Sequence, residues 1–171
     1  MRKSLFALAA TAAALFAGAA QAQSANYAID PTHTFATFEI SHFGAAVNRG
    51  RFDKKGGTVV LDKAGKTGKA ELTFDVSSVN TGTPAFDKHL QSAELFDVAK
   101  HPTMKFVSSK FVFNGDKVAS VEGQLTLLGK TGPLTLKANQ FNCYDSPMLK
   151  REVCGGDFEA TIDRTQWGMN Y

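Results

Sequence analysis

The stretch Gly123-Gln124-Leu125-Thr126-Leu127-Leu128-Gly129-Lys130-Thr131-Gly132-Pro133-Leu134-Thr135-Leu136-Lys137-Ala138-Asn139 decides the fold. Gly123, Leu125 and Leu127 alternate with Gln124 and Thr126. Beyond the glycine-rich turn at 129–132, Leu134, Leu136 and Ala138 alternate with Thr135, Lys137 and Asn139. A period of two puts apolar side chains on one face of a strand and polar ones on the other. Two such runs joined by a short turn read as an antiparallel hairpin.

The same period recurs along the chain. Ala36, Phe38 and Ile40 interleave with Thr37, Glu39 and Ser41. Ala70, Leu72, Phe74 and Val76 interleave with polar residues, Met104 and Phe106 flank Lys105, and Phe158, Ala160 and Ile162 alternate with acids and Thr161. Turn signals separate the runs at 48–50, 55–57, 62–65, 114–116 and 129–132, with Asn114-Gly115 the clearest. The expected fold is all-β, an antiparallel up-and-down meander that closes on itself as a barrel or packs as a sandwich.

One stretch breaks the pattern. Thr83 and Pro84 suit the start of a helix, and Phe86, Leu90 and Ala93 recur at helical spacing. A short amphipathic helix is expected over residues 84 to about 95, either plugging one end of the sheet or covering a cavity.

The chain has 171 residues, 43% of them hydrophobic and 20% charged, enough for a single domain. Met1-Arg2-Lys3, the apolar run at 5–20 and Ala20-Gln21-Ala22 read as a secretory signal covering residues 1–22. One domain is expected over 23–171, in the periplasm or secreted. Losing Arg2 and Lys3 leaves 17 basic against 16 acidic residues, a charge of +1. That lacks the basic stripe of a nucleic-acid binder. Cys143 and Cys154 enclose ten residues, and in an exported chain they read as a disulfide across a loop.

Catalytic signatures are missing from the sequence. Gly129-Lys130-Thr131 has Gln124 where a phosphate loop needs glycine, and no Gly-x-Ser-x-Gly or His-Glu-x-x-His occurs. The spacing of His33, His42, His89 and His101 matches no common zinc pattern. Neither catalytic residues, nor a metal site, nor a cofactor is expected. Asp163-Arg164 beside Trp167 suggests an ion pair.

Four segments together resemble the YceI-like family of exported, lipocalin-like, polyisoprenoid-binding proteins. Asp30-Pro31-Thr32-His33-Thr34 leads to Phe38, Ile40, His42, Phe43 and Gly50-Arg51-Phe52. Phe86-Asp87-Lys88-His89-Leu90 leads to Leu95-Phe96-Asp97, Pro102 and Phe106. Residues 123–129 and 133–136 form the third segment. Cys143, Cys154, Ile162-Asp163-Arg164 and Trp167-Gly168-Met169 form the last.

The resemblance implies a long antiparallel barrel around an apolar channel that holds a polyprenyl lipid, quinone-like or prenyl-phosphate. It implies no catalysis in most members. Alternation nominates the lining as Phe38, Ile40, Leu72, Phe74, Phe106, Leu125, Leu127 and Phe158, with Phe86, Leu90 and Phe96 gating the mouth and Trp167 beside them. His33, His42, His89 and Arg164 are candidates for a polar rim. The partner is an isoprenoid or other long-chain lipid, with transient membrane contact, for a monomer or a homodimer. Members of the family continue past Trp-Gly-Met with a further strand, so the barrel is expected to lack its last strand in this chain, with an alternating strand following in a longer protein. Two other readings stand beside the carrier. One is a secreted hydrolase using His33, His42 or His89. The other is a stress-related scaffold with a packed interior.

Overall fold

A computed structural model describes residues 24–171 of the chain. The expected signal at 1–22 lies outside the described residues. Ten strands follow in chain order: β1 (Ala25–Ala28), β2 (Ala36–His42), β3 (Ala46–Phe52), β4 (Lys55–Asp62), β5 (Thr67–Asp75), β6 (Val79–Asn80), β7 (Thr103–Asn114), β8 (Lys117–Leu127), β9 (Lys130–Ser146) and β10 (Arg151–Glu159). The single α-helix described, α1, runs Pro84–Leu90. Short 3-10 turns cover Val76–Ser78 and Arg164–Trp167.

All pairings are antiparallel. Seven strands form one sheet in the order β1-β4-β5-β7-β8-β9-β10, and β2-β3-β6 form a smaller one. The large sheet curls into a half-barrel. The expected meander is present from β7 to β10 as sequential hairpins. The ring itself is not closed by main-chain hydrogen bonds among the described residues, because β2 and β3 leave the large sheet and pair with each other.

Two turn signals prove to be strand interior. Gly50 lies within β3, opposite Phe38, and a Cβ there would fall 2.3 Å from the Phe38 ring. The glycine seats an aromatic ring and turns no corner. The β2–β3 turn is Phe43-Gly44-Ala45, with positive φ at Phe43 and Gly44 and the Ala45 N–H donating to the His42 carbonyl. Gly57 lies within β4, where a Cβ would fall 2.1 Å from the Glu71 carbonyl oxygen. The β7–β8 loop is Gly115-Asp116, one residue later than Asn114-Gly115, and Asn114 pairs with Lys117.

The helix is shorter than its spacing suggests. It stops at Leu90, and the chain folds back through hydrogen bonds from Phe96 N–H to Leu90 and from Val98 N–H to Gln91. Thr83 makes no side-chain cap. Asp87 instead accepts from the main chain and hydroxyl of Thr81, each at 2.7 Å. This tethers the helix to the strand before it, with Phe86, Leu90, Leu95 and Phe96 turned into the interior.

Candidate functional site

The inner face of the curled sheet is one continuous apolar surface. β5 supplies Ala70, Leu72 and Phe74, β7 Met104 and Phe106, β8 Val121, Leu125 and Leu127, and β9 Leu134 and Leu136. A bulge between Ser108 and Lys110 changes the parity of β7, so that Phe111 and Phe113 continue the face begun by Phe106. The bulge is held by the buried Ser108 hydroxyl, which donates to the Glu122 carbonyl at 2.6 Å and accepts from Lys110 N–H.

The face divides into two apolar groups, a packed end against α1 and an open end beside β1, and in both the aromatic rings around the buried residues are half-buried. At the packed end, Leu90, Leu95, Phe52, Val76, Val79 and Met169 are buried, with Phe38, Phe74, Phe86 and Phe96 against them. Phe52 lies 5.8 Å from Phe38 and 5.6 Å from Phe96, centroid to centroid. Beside them Leu125 and Leu127 are buried with Trp167, whose indole N–H donates to the Leu125 carbonyl at 3.2 Å. The Trp167 ring covers Gly132.

At the open end four residues are buried: Leu61, Phe106, Val118 and Val121. Tyr27, Leu72, Phe111, Phe113, Leu134, Leu136, Phe141 and Phe158 pack on them but stay half-buried. The structure thus places Leu72, Phe106 and Phe158 at the open end. It places Phe38, Phe74, Phe86, Leu90, Phe96, Leu125, Leu127 and Trp167 at the packed end. Ile40 joins neither group and is exposed on β2.

The open end is bordered by a polar cluster that the sequence did not mark. The Tyr27 hydroxyl donates to Glu152 Oε1 at 2.5 Å, and Lys63 Nζ binds Glu152 Oε2. Tyr27 sits on β1, Lys63 in the β4–β5 turn and Glu152 on β10. Burial, helped by the carboxylate beside it, pushes the Tyr27 phenol up to about 12. Hydrogen bonds from Lys63 and Tyr27 hold the Glu152 carboxyl below its usual range. A cleft of about 420 Å³ opens here, lined by Ser24, Ala25, Tyr27, Leu61, Lys63, Ala64 and Glu152.

The rim candidates are not gathered at this cleft. His33 is in the β1–β2 loop and pairs through Nδ1 with Asp30 Oδ2 at 2.6 Å, while Asp30 also accepts from Thr32 N–H. Those contacts hold the Asp30 carboxyl down at about 2. His42 ends β2, edge-on to Phe43. His89 lies on α1, 3.4 Å from Glu94 and against the Tyr171 ring. Arg164 donates to the Tyr171 main-chain oxygen. Asp163 makes no ion pair with Arg164. It accepts instead from the main chain and hydroxyl of Thr165, which stops the Arg164–Trp167 turn from fraying.

Cys143 and Cys154 are direct cross-strand partners of β9 and β10 and form a disulfide. Among the described residues, the one set of three metal-capable groups within 4.8 Å is Cys143, Glu152 and Cys154, and its sulfurs are already bonded to each other.

Comparison with known proteins gives this arrangement a context. The model of the YceI-like domain matches residues 27–171. A UPF0312 protein of Pseudomonas savastanoi pv. phaseolicola is 41% identical over 172 residues, covering 99% of this chain and 88% of that protein. A UPF0312 protein of Pseudomonas aeruginosa is 38% identical with the same coverage. Among solved structures, the Campylobacter jejuni YCEI protein superposes with a TM-score of 0.63 at 26% identity, covering 82% of each chain. BcnA of Burkholderia cenocepacia gives a TM-score of 0.57 at 27% identity, over 66% of this chain and 72% of its own.

Proposed function

The chain belongs to the YceI-like family, and on that premise we propose that it is an exported carrier. It holds a polyisoprenoid, or a similar long-chain amphiphile, against the inner face of its curled sheet. The observation that carries this reading is the open end, where Phe111, Phe113, Phe141 and Phe158 stay half-buried around four buried residues. Aromatic surface left in contact with water forgoes about 25 cal/mol per Å². A branched hydrocarbon chain laid along the face recovers that energy for both partners.

A binding role fits the polar residues better than a catalytic one. His33, His42 and His89 lie in three separate segments, each with contacts of its own. The residues at 1–22 and the disulfide support an oxidising compartment, the periplasm. Such cargo is too insoluble to travel free, so loading calls for transient contact with a bilayer. Phe43, 95% exposed at the β2–β3 turn, and Met148, 90% exposed before β10, are apolar tips suited to it. The carrier acts as a monomer or a homodimer.

The test is titration of the delipidated protein with geranylgeraniol and, separately, geranylgeranyl phosphate, read by native mass spectrometry. A one-to-one complex, weakened at least about tenfold (about 1.4 kcal/mol) by Phe113→Ser, supports the carrier. A folded protein that takes up neither geranylgeraniol nor geranylgeranyl phosphate overturns it.

A further inference from the structure

The cleft at the open end is built from two kinds of surface. Leu61, 2% exposed, and the Tyr27 ring belong to the same apolar group as Phe106, Phe111 and Phe113. Lys63, Tyr27 and Glu152 form the polar side of the same cleft. An amphiphile whose tail follows the aromatic face therefore meets this cluster with its polar end.

The cluster still has hydrogen-bonding capacity. The ammonium of Lys63 carries three N–H donors and uses one on Glu152. The Tyr27 oxygen donates to Glu152 and keeps lone pairs to accept with. The Glu152 carboxylate accepts from both neighbours and has acceptor positions left. A hydroxyl group fits these vacancies, since it accepts from Lys63 and donates to Tyr27 or Glu152. A phosphate does not fit. Among the described residues, the one cation in the cleft lining is Lys63, already paired with Glu152, and a phosphate on Lys63 would lie beside a carboxylate that the cluster keeps ionised.

We propose that Tyr27, Lys63 and Glu152 form a head-group subsite that selects an uncharged, hydroxyl-bearing amphiphile and rejects its phosphorylated counterpart. This rests on the carrier reading and specifies the class of cargo. Glu152 is the discriminating residue, Lys63 the donor that both heads compete for, and Tyr27 the group that fixes the carboxylate in place.

The probes are geranylgeraniol and geranylgeranyl phosphate, titrated separately into the purified delipidated protein at neutral pH and low salt. The wild type should bind the alcohol about tenfold or more tighter than the phosphate, the ratio expected when a close ion pair is opposed by a like charge. Glu152→Gln keeps the shape and removes the charge, and should raise phosphate affinity about tenfold, so that the preference for the alcohol over the phosphate falls by about that factor or more. Lys63→Met added to Glu152→Gln should cancel that gain. Far-UV dichroism and thermal unfolding verify that each variant is folded. If both probes bind the wild type equally and Glu152→Gln moves neither, the subsite is overturned and the carrier stands. If neither probe binds the folded wild type, the carrier reading falls and takes the subsite with it.

Discussion

Tyr27 and Glu152, 125 positions apart, are joined by a 2.5 Å hydrogen bond. The two residues sit on β1 and β10, the outermost strands of the seven-stranded sheet. Side chains from the two edges of the half-barrel thus meet at this end. At this end the closure comes from a phenol, a carboxylate and an ammonium where main-chain pairing is missing.

Tyr27→Phe removes one half of that bridge and leaves Lys63 on Glu152. The expected cost is about 1 kcal/mol, the usual net worth of a hydrogen bond to a partly buried group. Urea unfolding followed by fluorescence checks it. An unchanged midpoint would mean the bridge contributes nothing to holding the sheet curled.

The bridge also fixes a pH window. Tyr27 has its phenol raised from 10.0 to about 12, so its neutral form is favoured in the folded state. That stabilisation is complete below pH 10 and is lost as pH rises toward 12. Glu152, Asp53, Asp75 and Asp163 are shifted the other way by hydrogen bonds to their carboxylates. Their contribution is present above the ordinary carboxylate range and is lost as pH falls through their lowered values. Thermal unfolding against pH should show a plateau through neutrality with falls at both ends. In Tyr27→Phe the alkaline fall should be shallower.

Glycines on the inner face act as seats for aromatic rings. A Cβ on Gly123 would lie 2.6 Å from the Phe106 ring and 2.5 Å from the Val107 carbonyl oxygen. Gly123→Ala should destabilise by about 1–3 kcal/mol, the range for overpacking a core. Gly155, whose Cβ would meet nothing within 4 Å, is the control. Gly155→Ala should change stability by under about 0.5 kcal/mol. Equal effects from the two substitutions would contradict the ring-seat account.

Reducing the Cys143–Cys154 bridge should lower stability by about 3 kcal/mol, as expected for a loop of this length. Unfolding of the Cys143→Ser/Cys154→Ser protein measures it. Because the bridge joins strands already paired by β9 and β10, far-UV dichroism should stay unchanged.

The strands were legible wherever a single parity ran unbroken. Leu125, Leu127, Leu134 and Leu136 keep their period through β8 and β9, and the structure places all four on one face. Legibility failed where parity shifts. The bulge after Ser108 carries Phe111 and Phe113 to the inner face, while Met104-Lys105-Phe106 alone showed the strand. The alternating Phe111-Val112-Phe113 was the available signal. Glycine misled in two places, since at Gly50 and Gly57 it serves close approach within strands. The Tyr27, Lys63 and Glu152 cluster had no local signature. Its members are separated by up to 125 positions and meet only because the sheet curls. The histidines drew attention as residue types, yet folding leaves them apart.

The most direct measurement is organic extraction of the protein purified from cells, with mass spectrometry of the extract. The account predicts a long-chain isoprenoid close to one per protein, bearing an uncharged head group. A clean extract from folded, disulfide-bonded protein would contradict it and leave the half-open aromatic face without a cargo.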